Sequence, residues 1–173
     1  MAETLDIIKL QSQGVRQLRG VGFVFDIARR KVLLQRTLWP PYEGGTGSSD
    51  RTYVLVGITG LLPLAGGPGL NAAMSRVILQ TTTLVVPAEK WRLVMVGDPM
   101  RWQPTGPIPE HYIPLIAMAA AVDSLDGAVA QVGDCVGAVG IDGVVTGYGD
   151  DAQALLFGVP EMIARGFEAV QGA

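Results

Sequence analysis

At 173 residues, with a formal net charge of −3 and no long basic block, the chain has the size of one domain and lacks the charge footprint of a nucleic-acid binder. Charged residues make up 17% and hydrophobic residues 49%, against about 25% charged in typical domains, and the mean hydropathy is +0.34. So little charge does not readily cover the surface of a monomer, which points to apolar area hidden between copies of the chain, in a homo-oligomer or a filament.

In chain order, Leu5–Gln11 reads as a short β-like run, ended by Gly14, and Val15–Leu18 as a second short piece. Val21–Ile27 and Val32–Leu38 are β-rich and flank Ala28-Arg29-Arg30-Lys31, a hairpin whose three turn cations are read as solvated. Trp39-Pro40-Pro41-Tyr42 ends regular structure, because consecutive prolines remove ladder donors. Glu43–Asp50 has the composition of a surface loop, and it lacks the lysine of a phosphate-cradling G-x-x-x-x-G-K-[ST] loop. Arg51–Leu62 resumes as a strand. Tyr53 to Ser75 carries no charge and is long enough to cross a bilayer, but Gly57, Gly60, Pro63, Gly66, Gly67, Pro68 and Gly69 interrupt it. A lipid-exposed helix broken that often would leave backbone groups unsatisfied, so the stretch reads as a buried strand and a long turn. Glu3 and Asp6 precede any apolar run, which argues against a signal peptide and makes a cytoplasmic location the expectation.

Asn71–Ser75 reads as a short helical turn. Thr81–Val86 and Trp91–Val96, separated by Pro87-Ala88-Glu89-Lys90, read as a central hairpin covered on both faces. Gln103–Pro109 is a proline-rich connector. From Ile113 the apolar positions Ile113, Ile116, Ala117, Ala120, Leu125, Val129 and Val132 recur at three to five residues, the pattern of a helix of roughly five turns within 109–132. Cys135–Ile141 and Val144–Tyr148 form a third hairpin around Asp142-Gly143, the strongest short turn signal in the chain. Ala152–Phe157 follows as a helical turn. Pro160 then opens a last helix, Glu161–Val170, with Met162, Ile163 and Phe167 facing inward. These elements make one α+β domain: a mixed or mostly antiparallel sheet system, in one form a sandwich, with two or three helices of the C-terminal half packed on it.

The catalytic inventory is poor. Cys135 is the single cysteine and His111 the single histidine, which excludes an internal disulfide and a multi-histidine metal site and leaves Cys135 as a buried, inert thiol. Glu110-His111 reads as a solvated helix start, and Asp150-Asp151 as helix-capping acids rather than cation ligands. Arg76, Asp98 and Arg101 are expected near the central hairpin, as an ion-pair cluster or an anion site. No cofactor and no metal is implied.

Ser75–Pro87 (S-R-V-I-L-Q-T-T-T-L-V-V-P), Arg101-Trp102, Val136–Val145 (V-G-A-V-G-I-D-G-V-V) and Leu156–Glu161 (L-F-G-V-P-E) together resemble one bacterial family. It is the family named for genomic association with ADP-ribosylglycohydrolase and rhodanese/phosphatase-superfamily proteins, and the likeness spans roughly residues 60–170. It implies no particular activity. Asp142–Val170 also resembles roadblock-type dimerisation modules, which place a D-G hairpin before a helix. Two functions follow as expectations. The first is a non-catalytic structural protein that self-assembles. The alternative is a small-molecule-binding protein or enzyme acting on a phosphorylated or nucleotide-derived compound. Its site would hold Arg76, Arg101, Trp102 and His111, because tryptophan stacks and arginine pairs with phosphate.

Overall fold

The computed structural model describes residues 7–12, 16–39, 52–64, 69–97, 115–128, 136–141 and 159–172. In chain order these form α1 (Ile7–Ser12), β1 (Gln17–Asp26), β2 (Lys31–Trp39), β3 (Thr52–Val56), β4 (Ile58–Pro63), α2 (Leu70–Thr82), a 3₁₀ turn (Ala88–Lys90), β5 (Arg92–Gly97), β6 (Leu115–Val122), β7 (Val136–Gly140) and α3 (Val159–Gln171). The fold is α+β, built on one mixed seven-stranded sheet.

The register fixes how the strands share edges. β6 runs parallel to β1 along one edge, Arg19 opposite Leu115 through Asp26 opposite Val122. The other edge of β1 therefore serves two partners: β4 over Gln17–Gly22 and β2 at Phe25 and Asp26. By the same reasoning Gln35 of β2 pairs with Val136 of β7 on one side and Val56 of β3 on the other. The β1–β2 hairpin thus closes at its turn and opens away from it, and the β3–β4 segment, broken at Gly57, fills the wedge. At the change of partner the Thr59 N–H donates to the Gln35 side-chain oxygen at 3.2 Å, which satisfies a backbone donor that no ladder reaches there.

Side-chain alternation sends two cores to the two faces. Val21, Phe23 and Phe25 of β1 join Leu115, Ala117 and Ala119 of β6 beneath Val159, Met162 and Ile163 of α3. Leu18 and Val24 join Ile116, Met118 and Ala120 beneath Ala73, Met74 and Ile78 of α2, with Trp91. α2 lies close to the sheet because β1 and β4 offer it glycines. A Cβ on Gly60 would stand 2.6 Å from both Val77 methyls, and one on Gly22 would stand 2.6 Å from the Met74 methyl. The Trp91 indole N–H donates to Ser75 Oγ at 2.9 Å and ties the helix to the start of β5.

α2 ends at Thr83, which adopts the left-handed conformation with φ of 64°. A β-branched residue there costs about 1–2 kcal/mol, and glycine is the usual occupant. The one hydroxyl proton of Thr83 is shared between the carbonyls of Thr82 and Gly127. Thr83→Gly is therefore expected to raise stability by about 1 kcal/mol net, seen as a melting temperature about 2–4 °C higher.

Several sequence expectations are corrected. Residues 7–11 of the first β-like run, Leu5–Gln11, lie in the short helix α1. The helical turn at Asn71–Ser75 is a full helix, Leu70–Thr82, so Thr81–Val86 is a helix end and an extended connector rather than a strand. β5 has no hairpin partner there. It lies at the end of the strand order, and β1 takes the central place. The helix expected within 109–132 is strand β6 over Leu115–Val122. It is a run buried on both faces, and alanine spacing alone does not separate such a strand from a helix. The β1–β2 hairpin, β5 itself and the last helix appear as expected. The single strand read over Arg51–Leu62 is instead two, β3 and β4, with different partners, and Val136–Gly140 of the run Cys135–Ile141 is a strand that pairs with β2. The second half of the third hairpin, the Gln103–Pro109 connector and Ala152–Phe157 lie outside the described residues.

Candidate anion-binding site

Because β6 is parallel to β1 and β5 antiparallel to β6, three connections meet at one end of the sheet. They are the turn after β1, the loop after β6 and the 3₁₀ turn before β5. β7 also ends there, where the Ile141 N–H donates to the Arg30 carbonyl at 2.9 Å. This end gathers five cations, Arg29, Arg30, Lys31, Lys90 and Arg92, with the acids Asp26, Glu89, Asp123 and Asp126. The carboxyl ends of parallel strands are where open α/β sheets bind ligands.

On the α3 face an open cleft of about 230 Å³ is lined by Lys90, Arg92, Ala121 and Val170. Arg92 lies on this face because it pairs with Ala119, whose side chain is in the α3 core. Its guanidinium is steadied by donating from Nη1 to the Glu89 carbonyl at 2.8 Å and the Trp91 carbonyl at 3.1 Å. Across the helix, Arg30 stacks over Phe167 at 5.1 Å, and Phe167 meets Phe25 at 5.8 Å between ring centroids. α3 has no basic residue in its last turn, so these cations from other elements face its carbonyl end. That end carries about half a negative charge. Lys90 and Arg92 exceed it, so the described lining of the cleft is net positive. The volume falls below the range of about 300–1,000 Å³ usual for whole-ligand pockets, so it suits one charged group of a larger compound.

At the same end, toward the α2 face, Arg29 serves several oxygens. Its Nη1 donates to Asp126 Oδ2 at 2.6 Å and Ser124 Oγ at 3.1 Å, and stands 3.6 Å from Asp26 Oδ2. Asp26 is only 1% exposed. Its Oδ1 accepts the Arg29 backbone N–H at 3.0 Å, while Oδ2 has no hydrogen-bond partner. The hydrogen bond and the charge of Arg29 hold the Asp126 carboxyl below its ordinary value of 3.8. The Arg29–Asp126 link is therefore present above that value and is lost only as pH falls through the lower folded pKa.

The residues read from sequence as a site are not brought to this cleft where they can be placed. Arg76 is exposed on α2, the helix on the opposite face from the cleft. Arg101, Trp102, His111 and Asp98 lie outside the described residues, as do Cys135 and Asp150-Asp151. Lys90 and Arg92 were missed as site residues because, as neighbours in sequence, they look like turn and strand-edge charges. Only the order β1–β6–β5 sets them beside the β1–β2 turn cations. Among the described residues no three His, Cys, Asp or Glu side chains gather as a metal site. No helix among them is long and apolar enough to cross a membrane.

No family model and no curated protein sequence matches the chain. Solved structures do. The NUDIX domain of Shewanella oneidensis NrtR complexed with ADP ribose superimposes with a TM-score of 0.53 at 12% identity, covering 96% of this chain and 99% of that one. A NUDIX-family hydrolase from Clostridium perfringens gives 0.54 at 11%, covering 90% and 98%. A MutT structure from work on Aliivibrio salmonicida and Vibrio cholerae gives 0.53 at 14%, covering 86% and 97%. This chain has a Nudix-like fold. That overturns the reading as a self-assembling structural or filament protein, since the fold is shared with hydrolases and a ligand-binding domain rather than with filament subunits. The physical reason for the misreading is the two-sided core. Both faces of the sheet are covered by helices, which absorbs the apolar residues that composition seemed to leave for contacts between copies.

Proposed function

We propose that the chain binds a phosphorylated, nucleotide-derived small molecule, with Lys90 and Arg92 holding an anionic group of the ligand. The observation that carries this reading is the cleft at the carboxyl ends of β1 and β6, whose described lining is net positive, in a fold shared over nearly its whole length with a domain bound to ADP ribose. The described residues of the cleft supply charge and apolar contact. The two acids fixed at that end, Asp26 and Asp126, are both taken up by Arg29. That is chemistry for holding an anion.

Calorimetric titration with ADP-ribose, ADP, AMP and inorganic pyrophosphate tests it. At least one should bind to the unmodified chain. Removing both charges while keeping the side-chain stems, in Lys90→Met/Arg92→Met, should weaken that binding about tenfold or more, because charge-assisted bonds to phosphate are among the strong ones. The weakening should shrink as salt is raised. Unchanged affinity in the double variant would place the ligand elsewhere. Chromatography of the same mixtures with magnesium shows whether the bound compound is also cleaved.

A further inference from the structure

Arg29 holds two carboxylates with one nitrogen, and the exposed one has the better bond. Nη1 is 2.6 Å from Asp126, which is 74% exposed, and 3.6 Å from the buried Asp26. The Arg29 side chain is itself 52% exposed, and all three of its side-chain contacts with described groups, Asp26, Asp126 and Ser124, use Nη1. Its Nη2 and Nε edge has no polar partner among the described residues. That edge is the geometry that pairs with a phosphate or carboxylate through two parallel bonds.

Arg29 and Lys31, which stands opposite Asp26 across the hairpin, only balance the two aspartates, so an added anion would leave the cluster net negative. It has to take the place of an acid. Asp26 is held by burial and by the Arg29 backbone N–H. Asp126 is at the exposed tip of its turn, between the buried anchor Leu125 and Gly127, whose φ is 87°. Leu125 packs in the α2 core, and the Ala128 N–H returns to its carbonyl at 3.2 Å. The tip is otherwise held by exposed bonds, the Asp126 N–H to Ser124 Oγ at 3.0 Å and the Thr83 hydroxyl to the Gly127 carbonyl at 3.3 Å, which water can replace, so it can swing away from Arg29 without exposing apolar surface. The departing guanidinium contact can be replaced at Asp26 Oδ2, which has room for a bond.

We infer that Arg29 is an anion-exchange point: a phosphate group displaces Asp126 from Arg29, while Asp26 keeps the guanidinium in place. Asp126 is then a built-in competitor that lowers affinity for the ligand and releases the 123–128 loop when the ligand arrives. This inference rests on the reading of the chain as a binder of phosphorylated compounds, and it assigns a second contact to that ligand.

The test is a titration of inorganic pyrophosphate into the full chain, with Asp126→Ala and Arg29→Met compared with the unmodified protein. Asp126→Ala should bind about two- to fivefold tighter, the gain expected when a weak surface pair no longer masks the site. Arg29→Met should bind several-fold weaker. Amide hydrogen exchange at Asp126 and Gly127 in the unmodified protein should speed up on adding pyrophosphate, a readout that needs no variant. If Asp126→Ala binds no tighter and exchange at the tip does not change, while Lys90→Met/Arg92→Met still weakens binding, the exchange point is wrong and the cleft stands. If neither the unmodified protein nor Asp126→Ala binds pyrophosphate or ADP-ribose, both readings fall together.

Discussion

Gly57→Ala is expected to destabilise the protein by about 3 kcal/mol, lowering the melting temperature by about 6–12 °C. A Cβ at this position would lie 2.9 Å from the Gly22 carbonyl oxygen, 2.8 Å from a Val21 methyl and 2.9 Å from the Phe23 ring. The first of these is backbone in the central strand and cannot rotate away. The position matters because Gly57 is where the inserted segment changes partner from β2 to β1. Relief of the clash means widening the wedge, and that loosens the Thr59 to Gln35 bond and the ladder on one side. Gly22→Ala should cost less, since its closest neighbour at 2.6 Å is the end of the flexible Met74 side chain. Gly140→Ala is the control, with nothing within 4 Å of the new methyl. Thermal unfolding of the three variants should rank Gly57 worst, then Gly22, with Gly140 unchanged. Equal losses at Gly57 and Gly140 would show that strand glycines matter for a general reason rather than for the wedge.

That wedge also marks how far the fold was legible. The β1–β2 hairpin and the last helix were readable because each has a local signature: β-rich runs around a basic turn, and Met162, Ile163 and Phe167 on one helical stripe. α2 was obscured by its own C-terminus, where Thr81, Thr82 and Thr83 lead into Leu84, Val85 and Val86. The helical signal was nevertheless present as Met74, Ile78 and Thr82, buried at intervals of four. Thr82 tolerates that burial because its hydroxyl donates to the Ile78 carbonyl at 2.7 Å and accepts the Leu84 N–H at 3.2 Å. β6 was misread for a different reason. Ala117, Ala119 and Ala121 are small because α3 approaches them, with Gly166 closing on Ala119 and Phe25. Small residues chosen by a neighbouring helix look, in sequence, like residues that favour a helix. The insertion of β3–β4 between two hairpin strands has no local signature at all. The order β1–β6–β5, on which the candidate site depends, has no local signature either, so its cations appeared in sequence only as scattered turn charges.

The second large effect lies at Asp26, where the sign depends on which partner is removed. Arg29→Ala takes away the cation that forms an ion pair with the buried Asp26, and breaking such a pair typically costs about 3–5 kcal/mol. Here the arginine is half exposed and makes no hydrogen bond to Oδ2, so a cost below that range, about 2 kcal/mol, is expected. Asp26→Asn should behave differently. The amide oxygen can still accept the Arg29 backbone N–H that fixes the turn. The buried charge is gone, and the new N–H₂ replaces an oxygen that had no hydrogen bond to lose. Its own unmet donors cost about as much as the removed charge returns, leaving a change within about 1 kcal/mol. In the Asp26→Asn background Arg29→Ala should then cost only about 0.5 kcal/mol, a coupling of about 1.5 kcal/mol. Urea unfolding of the two single variants and the double variant measures all three. A double variant as unstable as the sum of the singles would mean that Arg29 does not compensate Asp26. The turn would then depend on the Asp26 Oδ1 bond alone, and Asp26 could not retain the guanidinium when a ligand displaces Asp126.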